Sequence, residues 1–369
     1  MNIQLLGAGQ ADQWDAYLRQ VPRSDIYFTA GYARIYEENG DGEAQLFIYE
    51  RDGQFVCYPY LLRNISDLPV VARLKLGHEV YDISTPYGYG GPLTNVVEPA
   101  DKAVIFREFE SVFHAYCEEK HIITEFVRFH PILNNALDYE AVDPCFVRNT
   151  IYINLDQSEE DMQRQYSRDN RNRIRRALKE GLTVAQADTG DLEQLLALYY
   201  STMDKKQAQS YYYFSEQFFA NTVQILGDQI GLVEVKYGDK VIASAMFMYS
   251  GEFAHYHLMG SDRQYLPVAP INLLIHYAAT QARERGYRYM HLGGGYTGND
   301  NLFRFKRSFN EKTMADFYIG KRIHCESLYQ AIIEPIAISM VEQNYFPLYR
   351  HPELQEAPIS SILIGSAHS

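Results

Sequence analysis

The sequence predicts two tandem α/β domains, each a mixed, mostly antiparallel sheet flanked by helices. Three observations predict it. The chain has 369 residues, more than one hydrophobic core usually serves, and 46% of them are hydrophobic, enough to bury two. Its second half reads, by hydrophobic period and turn residues, in the order β-α-α-β-β-β-α-β-α-β. Its first half repeats nearly the same order without evident sequence identity, as a structural duplication would.

Residues 3–6 alternate as a strand, and helical patterns follow near 11–20 and 29–39. Segments 44–49 and 55–62 form a hairpin through Asp52-Gly53, and a third strand before Tyr81 is weakly marked. A long helix over 98–120 leads to strands at 124–129 and 146–153. The second half opens on a long amphipathic helix near 158–180 and a strand over 182–187, then helices near 190–203 and 215–226. Three apolar segments, 230–236, 241–249 and 253–259, are separated by turns at Gly238-Asp239 and Ser250-Gly251 and predict an antiparallel meander. A helix near 269–285 ends at Gly286; a strand over 289–292, a glycine loop, a short helix near 300–308 and a strand near 313–319 complete the half. The expected domains are residues 1–150 and 151–319. Residues 320–369, with a helical pattern over 328–341, are expected to pack back on the first domain or to fray at their end.

The net charge of −13 and a pI near 5.3 weigh against a general nucleic-acid or anionic-membrane binder, and leave room for a local basic groove. Cys57, Cys117, Cys145 and Cys325 are scattered without C-x-x-C spacing, so neither a zinc site nor a redox motif is suggested, and no metal is expected. The opening MNIQLLGAGQADQW has no basic n-region or long apolar h-region, and no apolar run reaches about eighteen residues. The expectation is a cytoplasmic protein without an integral membrane segment. Tyrosine is abundant, with 31 residues, and clusters at Tyr87/Tyr89, Tyr199/Tyr200 and Tyr211-Tyr212-Tyr213. A phenol joins apolar area to a polar tip, which suits pockets for polar ligands.

The segment with the most chemistry is Gly293-Gly294-Gly295-Tyr296, followed by Phe303-Arg304-Phe305-Lys306-Arg307-Ser308-Phe309-Asn310. A glycine run after an apolar strand lets backbone approach a ligand. A lysine between phenylalanines can present its cation in a partly desolvated place and stabilise developing negative charge. Taken alone, Lys306 is equally compatible with a surface patch shared with Arg304 and Arg307.

The element order is that of the acetyltransferase fold called GNAT, and its doubling resembles the Fem family of peptidoglycan interpeptide-bridge aminoacyltransferases. Ser167 to Ala177, leading to Lys179-Glu180-Gly181-Leu182, is similar to that family's S-x-x-x-R-x-x-I-R-x-A-x-x-x-G segment. Tyr213 to Phe219 is similar to its Y-F-x-x-x-F-F, and Tyr256 to Ser261 to its Y-x-x-x-G-S; Pro270 before a helix and Phe305-Lys306-x-x-Phe309 follow in order. In the first half, Asp82 to Pro92 resembles the family's loop rich in tyrosine and glycine. The resemblance spans roughly residues 20–320 and rests on the order and spacing of short motifs.

This resemblance implies transfer of an acyl group, usually aminoacyl from charged tRNA, to an amine on a cell-wall precursor. It makes Lys306 the catalytic candidate, as stabiliser of the tetrahedral oxyanion or of a departing ribose oxygen. Tyr87 and Tyr89 are read as acceptor-site residues, with Asp82, Tyr213, Tyr256 and Asn272 as weaker candidates and Arg304 and Phe305 beside the lysine. No long antiparallel coiled-coil arm interrupts residues 182–320, a departure from the tRNA-using members that carry one, which leaves the donor open.

Acetyl-CoA enzymes of this fold seat the pyrophosphate on amides of an Arg/Gln-x-x-Gly-x-Gly/Ala loop. Here the corresponding stretch, Asp262 to Asn272, has no glycine after Arg263 or Gln264, and two prolines remove donors. No separate cofactor is expected, and an aminoacyl-tRNA donor is favoured over acyl-CoA. An acyl-CoA N-acyltransferase acting on an amino sugar and a non-catalytic glycan- or peptide-binding module stay open as alternatives. The run Arg164, Arg168, Arg171, Arg173, Arg175, Arg176, Lys179 reads either as a tRNA contact or as a solvated helix face. His255, His257 and His291 have strand spacing and read as core or pocket histidines rather than a metal set. The acyl group, the acceptor and the oligomeric state are not fixed by the sequence.

Overall fold

The structure, a computed structural model, describes residues 2–206, 210–334, 336, 345–352 and 354. The chain divides into two compact units, residues 1–147 with 318–369, and residues 148–317.

In the first unit, β1 (Asn2–Gly7), α1 (Ala11–Leu18) and α2 (Ala30–Glu38) lead to the hairpin of β2 (Glu43–Arg51) and β3 (Gln54–Asn64). Asp52 and Gly53 turn that hairpin at positive φ, which an Asp-Gly pair adopts with little strain. α2 starts where the Thr29 hydroxyl accepts from the Tyr32 amide. The short α3 (Pro69–Ala72) precedes β4 (Tyr81–Ser84), the weakly marked third strand, and β5 (Leu93–Thr94). α4 (Pro99–Glu119) begins on proline and buries Ile105, Phe109, Phe113 and Cys117, one stripe at i, i+4 spacing. That stripe packs with Phe47, Tyr58, Tyr60 and Val127. β6 (Ile122–Arg128) lies parallel to β4, and the sheet runs β1-β2-β3-β4-β6 with β5 on β3.

β7 (Cys145–Asn154) carries the chain into the second unit. The helix predicted over 158–180 is two helices, α5 (Glu159–Gln165) and α6 (Arg168–Lys179). Between them Tyr166 is extended, with ψ 146, and Ser167 caps α6 by accepting from the Asn170 amide. The break is silent in the hydrophobic pattern because Met162, Tyr166, Asn170 and Ile174 all stay buried at i, i+4 spacing across it.

β8 (Leu182–Ala187), α7 (Glu193–Lys206) and α8 (Glu216–Leu226) follow, then the meander β9 (Ile230–Tyr237), β10 (Lys240–Ser250) and β11 (Phe253–Ser261). α9 (Pro270–Glu284) crosses to β12 (Tyr289–Gly293), which is parallel to β11, and α10 (Asn301–Arg307) comes next. This sheet runs β8-β9-β10-β11-β12-β7. Leu273, Leu274, Ala278 and Ala282 of α9 cover it, against Val233, Ala245, Phe247 and Met290.

The final strand of each half is not where local order puts it. β7 follows β6 in sequence but pairs with β12, and β13 (Ala315–Ile323) follows β12 but pairs with β6 over Ile319 to Ile323. A local pattern marks a strand; its partner is chosen by long-range register. α11 (Glu326–Ile333) then packs Tyr329 and Ile332 with Ile65, Val70, Ile123 and Tyr349. The remainder of the helical pattern over 337–341, and the tail from 355 on, lie outside the described residues.

β11 and α7 touch at Gly260, where an added Cβ would stand 2.2 Å from the Leu198 carbonyl carbon and 2.3 Å from the Tyr199 nitrogen. Backbone cannot yield as a flexible side chain does. Gly260→Ala is therefore expected to cost about 1–3 kcal/mol or more, read as a lower urea midpoint at unchanged slope.

Candidate active site

β11 and β12 pair over only three positions, from Phe253 with Tyr289 to His255 with His291. β11 runs on to Ser261, while β12 turns to β7 and ends at Gly293. The two parallel strands thus part at their carboxyl ends, and α9 begins at that same end. Open α/β sheets bind ligands in the crevice outside the carboxyl ends of their strands.

The glycine loop follows directly on the end of β12. Gly293 has φ 73, and a Cβ on Gly295 would lie 2.3 Å from Asp300 Oδ1, so the loop is drawn tight against that carboxylate. Asp300 accepts from the amides of Tyr296 (2.6 Å), Thr297 (3.0 Å) and Phe303 (2.7 Å), capping α10 and the loop together. These bonds, that of the Phe303 amide foremost, hold its carboxyl below the usual range. Arg148 Nη1 donates to the carbonyls of Gly295 (2.5 Å) and Tyr296 (2.9 Å). Lys306 Nζ donates to the Gly294 carbonyl at 2.8 Å, so the ammonium stands directly after the end of β12.

α10 sorts the residues around Lys306. Phe303 is buried, Phe305 is half-buried and meets Phe309 edge-on at 5.6 Å, and Arg304 and Arg307 are exposed. Asn272, buried in the first turn of α9, donates to Asn170 Oδ1 at 2.8 Å. Asn170 in turn donates to the Ser308 carbonyl (3.1 Å), which also accepts from the Ser167 amide (2.8 Å). Asn272 is thereby a framework residue that ties the start of α9 through α6 to the end of α10. Tyr256 is the first residue of β11 past the parting of the strands; its ring lies 5.7 Å from Phe247, and burial pushes its phenol far up. Tyr213 is exposed and donates to Asp204 Oδ1 at 3.1 Å.

Asp82, Tyr87 and Tyr89 lie in the first unit. Asp82 is wholly buried and accepts from Arg63 Nε (2.7 Å), Arg350 Nε (2.5 Å) and Nη2 (2.9 Å), and the Tyr349 hydroxyl (3.2 Å). Asp82 thereby holds an ion cluster inside the first unit. The loop after it is braced by neighbours: the Tyr87 carbonyl accepts from Tyr32 (2.7 Å), the Gly88 carbonyl from Arg128 Nε (2.9 Å), and Tyr27 meets Tyr89 edge-on at 5.2 Å.

His255 and His291 are cross-strand partners with rings 5.8 Å apart, and His291 Nε2 lies 2.9 Å from Thr150 Oγ1. Burial, aided by His255, pushes His257 down to about 3, so this imidazole is neutral at pH 7 and a weak base.

The segment before α9 is a 3-10 turn, Arg263–Val268, with Pro267 inside it. The amides of Gln264, Tyr265 and Ala269 donate to Asp262 Oδ1 (3.0 Å), the Asp262 carbonyl (3.1 Å) and the Leu266 carbonyl (3.0 Å). Asp262 is also paired with Lys240 at 2.8 Å. Sequence reading missed Arg148, Asn170, Asp300 and the Ser308 carbonyl. Asp300, three residues before Phe303, carries the spacing of a helix cap and was open to detection; the others act through partners far away in sequence.

Residues 163–307 match the acetyltransferase (GNAT) domain family, and Lys306 falls inside the match. A comparison with curated protein sequences gives no match. Among solved structures, the chain is similar to FemX, at 15% identity and a TM-score of 0.67 over 89% of this chain and 99% of that one. It is similar to a conserved protein of unknown function from Bacteroides thetaiotaomicron, at 12% identity and a TM-score of 0.56 over 87% and 99%. It is also similar to L-PGS from Bacillus licheniformis, at 13% identity and a TM-score of 0.51 over 87% and 94%. Among the described residues, no helix is long and apolar enough to cross a membrane. Within the second unit, residues 163–307 are thus similar to the acetyltransferase (GNAT) domain, and the chain as a whole, built of two GNAT-like units, shares its fold with FemX.

Proposed function

We propose that this chain is an aminoacyltransferase that takes its acyl group from aminoacyl-tRNA and forms an amide on an amino group of a cell-wall, peptide or glycan precursor. The observation that carries the choice of donor is the segment before α9. A pyrophosphate at a helix N-terminus needs several backbone amides aimed at it. Pro267 and Pro270 have none, and those of Gln264, Tyr265 and Ala269 are engaged within the segment itself. A donor held by other means fits such a segment better than a CoA thioester does.

In the reaction, the neutral amine nitrogen attacks the ester carbonyl carbon and the carbonyl electron pair moves onto oxygen. Collapse restores the carbonyl, breaks the bond to the ribose oxygen, and leaves the amine's proton on that oxygen. Lys306 supplies positive charge to the oxyanion or to the departing oxygen. Tyr87 and Tyr89 are proposed on the acceptor side.

The test is to incubate the wild-type protein with mixed charged tRNAs, or with acyl-CoAs, together with cell-wall precursors, and to follow products by mass. The precursor is expected to gain an aminoacyl mass with charged tRNA. Donor consumption only with CoA thioesters would sink the tRNA reading in favour of an acyl-CoA N-acyltransferase. Precursor binding without turnover on any donor would leave a binding module.

A further inference from the structure

We propose that the outward stripe of α6 is a docking surface for the phosphate backbone of the donor RNA's acceptor arm; this rests on the aminoacyl-tRNA reading above. α6 buries Asn170, Ile174 and Ala177. Arg168, Asn172, Arg175 and Lys179 recur at i, i+4, i+7 and i+11, so they form a single stripe on the opposite face. All four are exposed. The helix's own acids are segregated from them: Asp169 and Glu180 share one flank with Arg173 and Arg176, and pair with these at 2.7 and 3.7 Å. Arg171 turns back to the Tyr166 carbonyl. Among the described residues Arg168, Arg175 and Lys179 form no ion pair; Arg175 reaches only Asn172 Oδ1, at 3.2 Å.

The Ser308 carbonyl, at the end of α10, accepts from Ser167 and Asn170 at the start of α6, so the two helices follow one another. Arg304 and Arg307 are exposed on α10 and form no ion pair among the described residues. Three cations therefore run along α6, over about 16 Å between Arg168 and Lys179, in a chain of net charge −13. Ordinary helix stabilisation does not account for the row. A solvated face intersperses acids among its bases, and Arg168 sits in the first turn, where the helix dipole opposes a cation. A rigid, acid-free row of mostly arginines, whose guanidinium forks match phosphate oxygens, is suited to a polyphosphate backbone.

The test measures binding of a fluorescent, uncharged RNA hairpin of acceptor-arm length ending in CCA, as a function of salt. The wild-type protein is compared with the triple variant Arg168→Gln, Arg175→Gln, Lys179→Gln and with a charge-matched control, Lys75→Gln, Arg107→Gln, Lys120→Gln, in the first unit. Circular dichroism checks that each is folded. Removing about three phosphate contacts is expected to reduce the slope of log Kd against log salt by about 2–3, while the control keeps the wild-type slope. An unchanged slope in the α6 variant, or equal losses in both variants, overturns the proposal. So does tight binding of polyglutamate by the wild type with no binding of the RNA hairpin, which would mark a site for acidic protein. Because the hairpin carries no acyl group, this assay reads docking alone, and a failure of the donor reading shows separately in the mass assay with charged tRNAs.

Discussion

Lys306→Met is expected to lower kcat by about a hundredfold or more, the usual cost of losing one charge-stabilising donor at an acyl-transfer centre. Methionine keeps the length and the apolar stem of lysine and removes only its charge and donors. The Nζ bond to the Gly294 carbonyl is lost with it, at about 0.5–1.5 kcal/mol of stability, so the unfolding midpoint moves little. That separation decides what the lysine does. A strut for the glycine loop would show as a raised KM and a softened protein with kcat largely kept. A charge used in the transition state shows as a loss in kcat and kcat/KM together, with KM nearly constant. Lys306→Arg keeps a cation and is expected to recover part of the rate; full wild-type rate in the methionine variant would remove Lys306 from the chemistry.

Asp82→Asn is expected to destabilise the first unit by about 3–5 kcal/mol, because it leaves two guanidiniums facing a buried site without their counter-charge. Burial alone would raise the Asp82 carboxyl; Arg63 and Arg350 outweigh it and hold the carboxyl below the ordinary value. The same attraction raises Arg350 against the opposing effect of its own burial. The sign of the pH dependence follows. A carboxyl depressed on folding contributes stability above its unfolded value, about 4, and loses it as pH falls through the lower folded value. Wild-type stability should therefore decline below about pH 4, and the asparagine variant should lack this component. Thermal melts across that range check both statements; a variant within about 1 kcal/mol of wild type would show that the cluster is replaceable. Removing charge from both sides, with Asp82→Asn and Arg350→Met together, is expected to recover part of the loss.

These two residues also mark where sequence reading stops. The structural setting of Lys306 was legible because it is local: strand, glycines, cap and aromatic spacing all fall within residues 289–310. The meander and α9 were legible for the same reason, since period and turn residues act within a few positions of each other. The ion cluster around Asp82 was not legible, because its partner Arg350 is 268 positions away, inside the closing segment expected to pack back or fray. The exchange of β7 and β13 and the break at Tyr166 escaped on similar grounds: one is a choice of pairing partner, and the other hides beneath an unbroken i, i+4 stripe of buried side chains. The basic run was visible as composition, but its division into acid-paired and acid-free sides depends on helix phase, which became fixed only once α6 had its own start at Ser167.

The Ser308 carbonyl gives that start a mechanical meaning. One oxygen receives both the Ser167 amide and the Asn170 side chain, and it belongs to the residue that ends the helix bearing Lys306. Asn170 passes the same linkage on to Asn272 at the head of α9. Three helix ends meet at a single hinge pin, so a pull or a twist applied anywhere along α6 is delivered two residues from the lysine rather than dissipated in a loop.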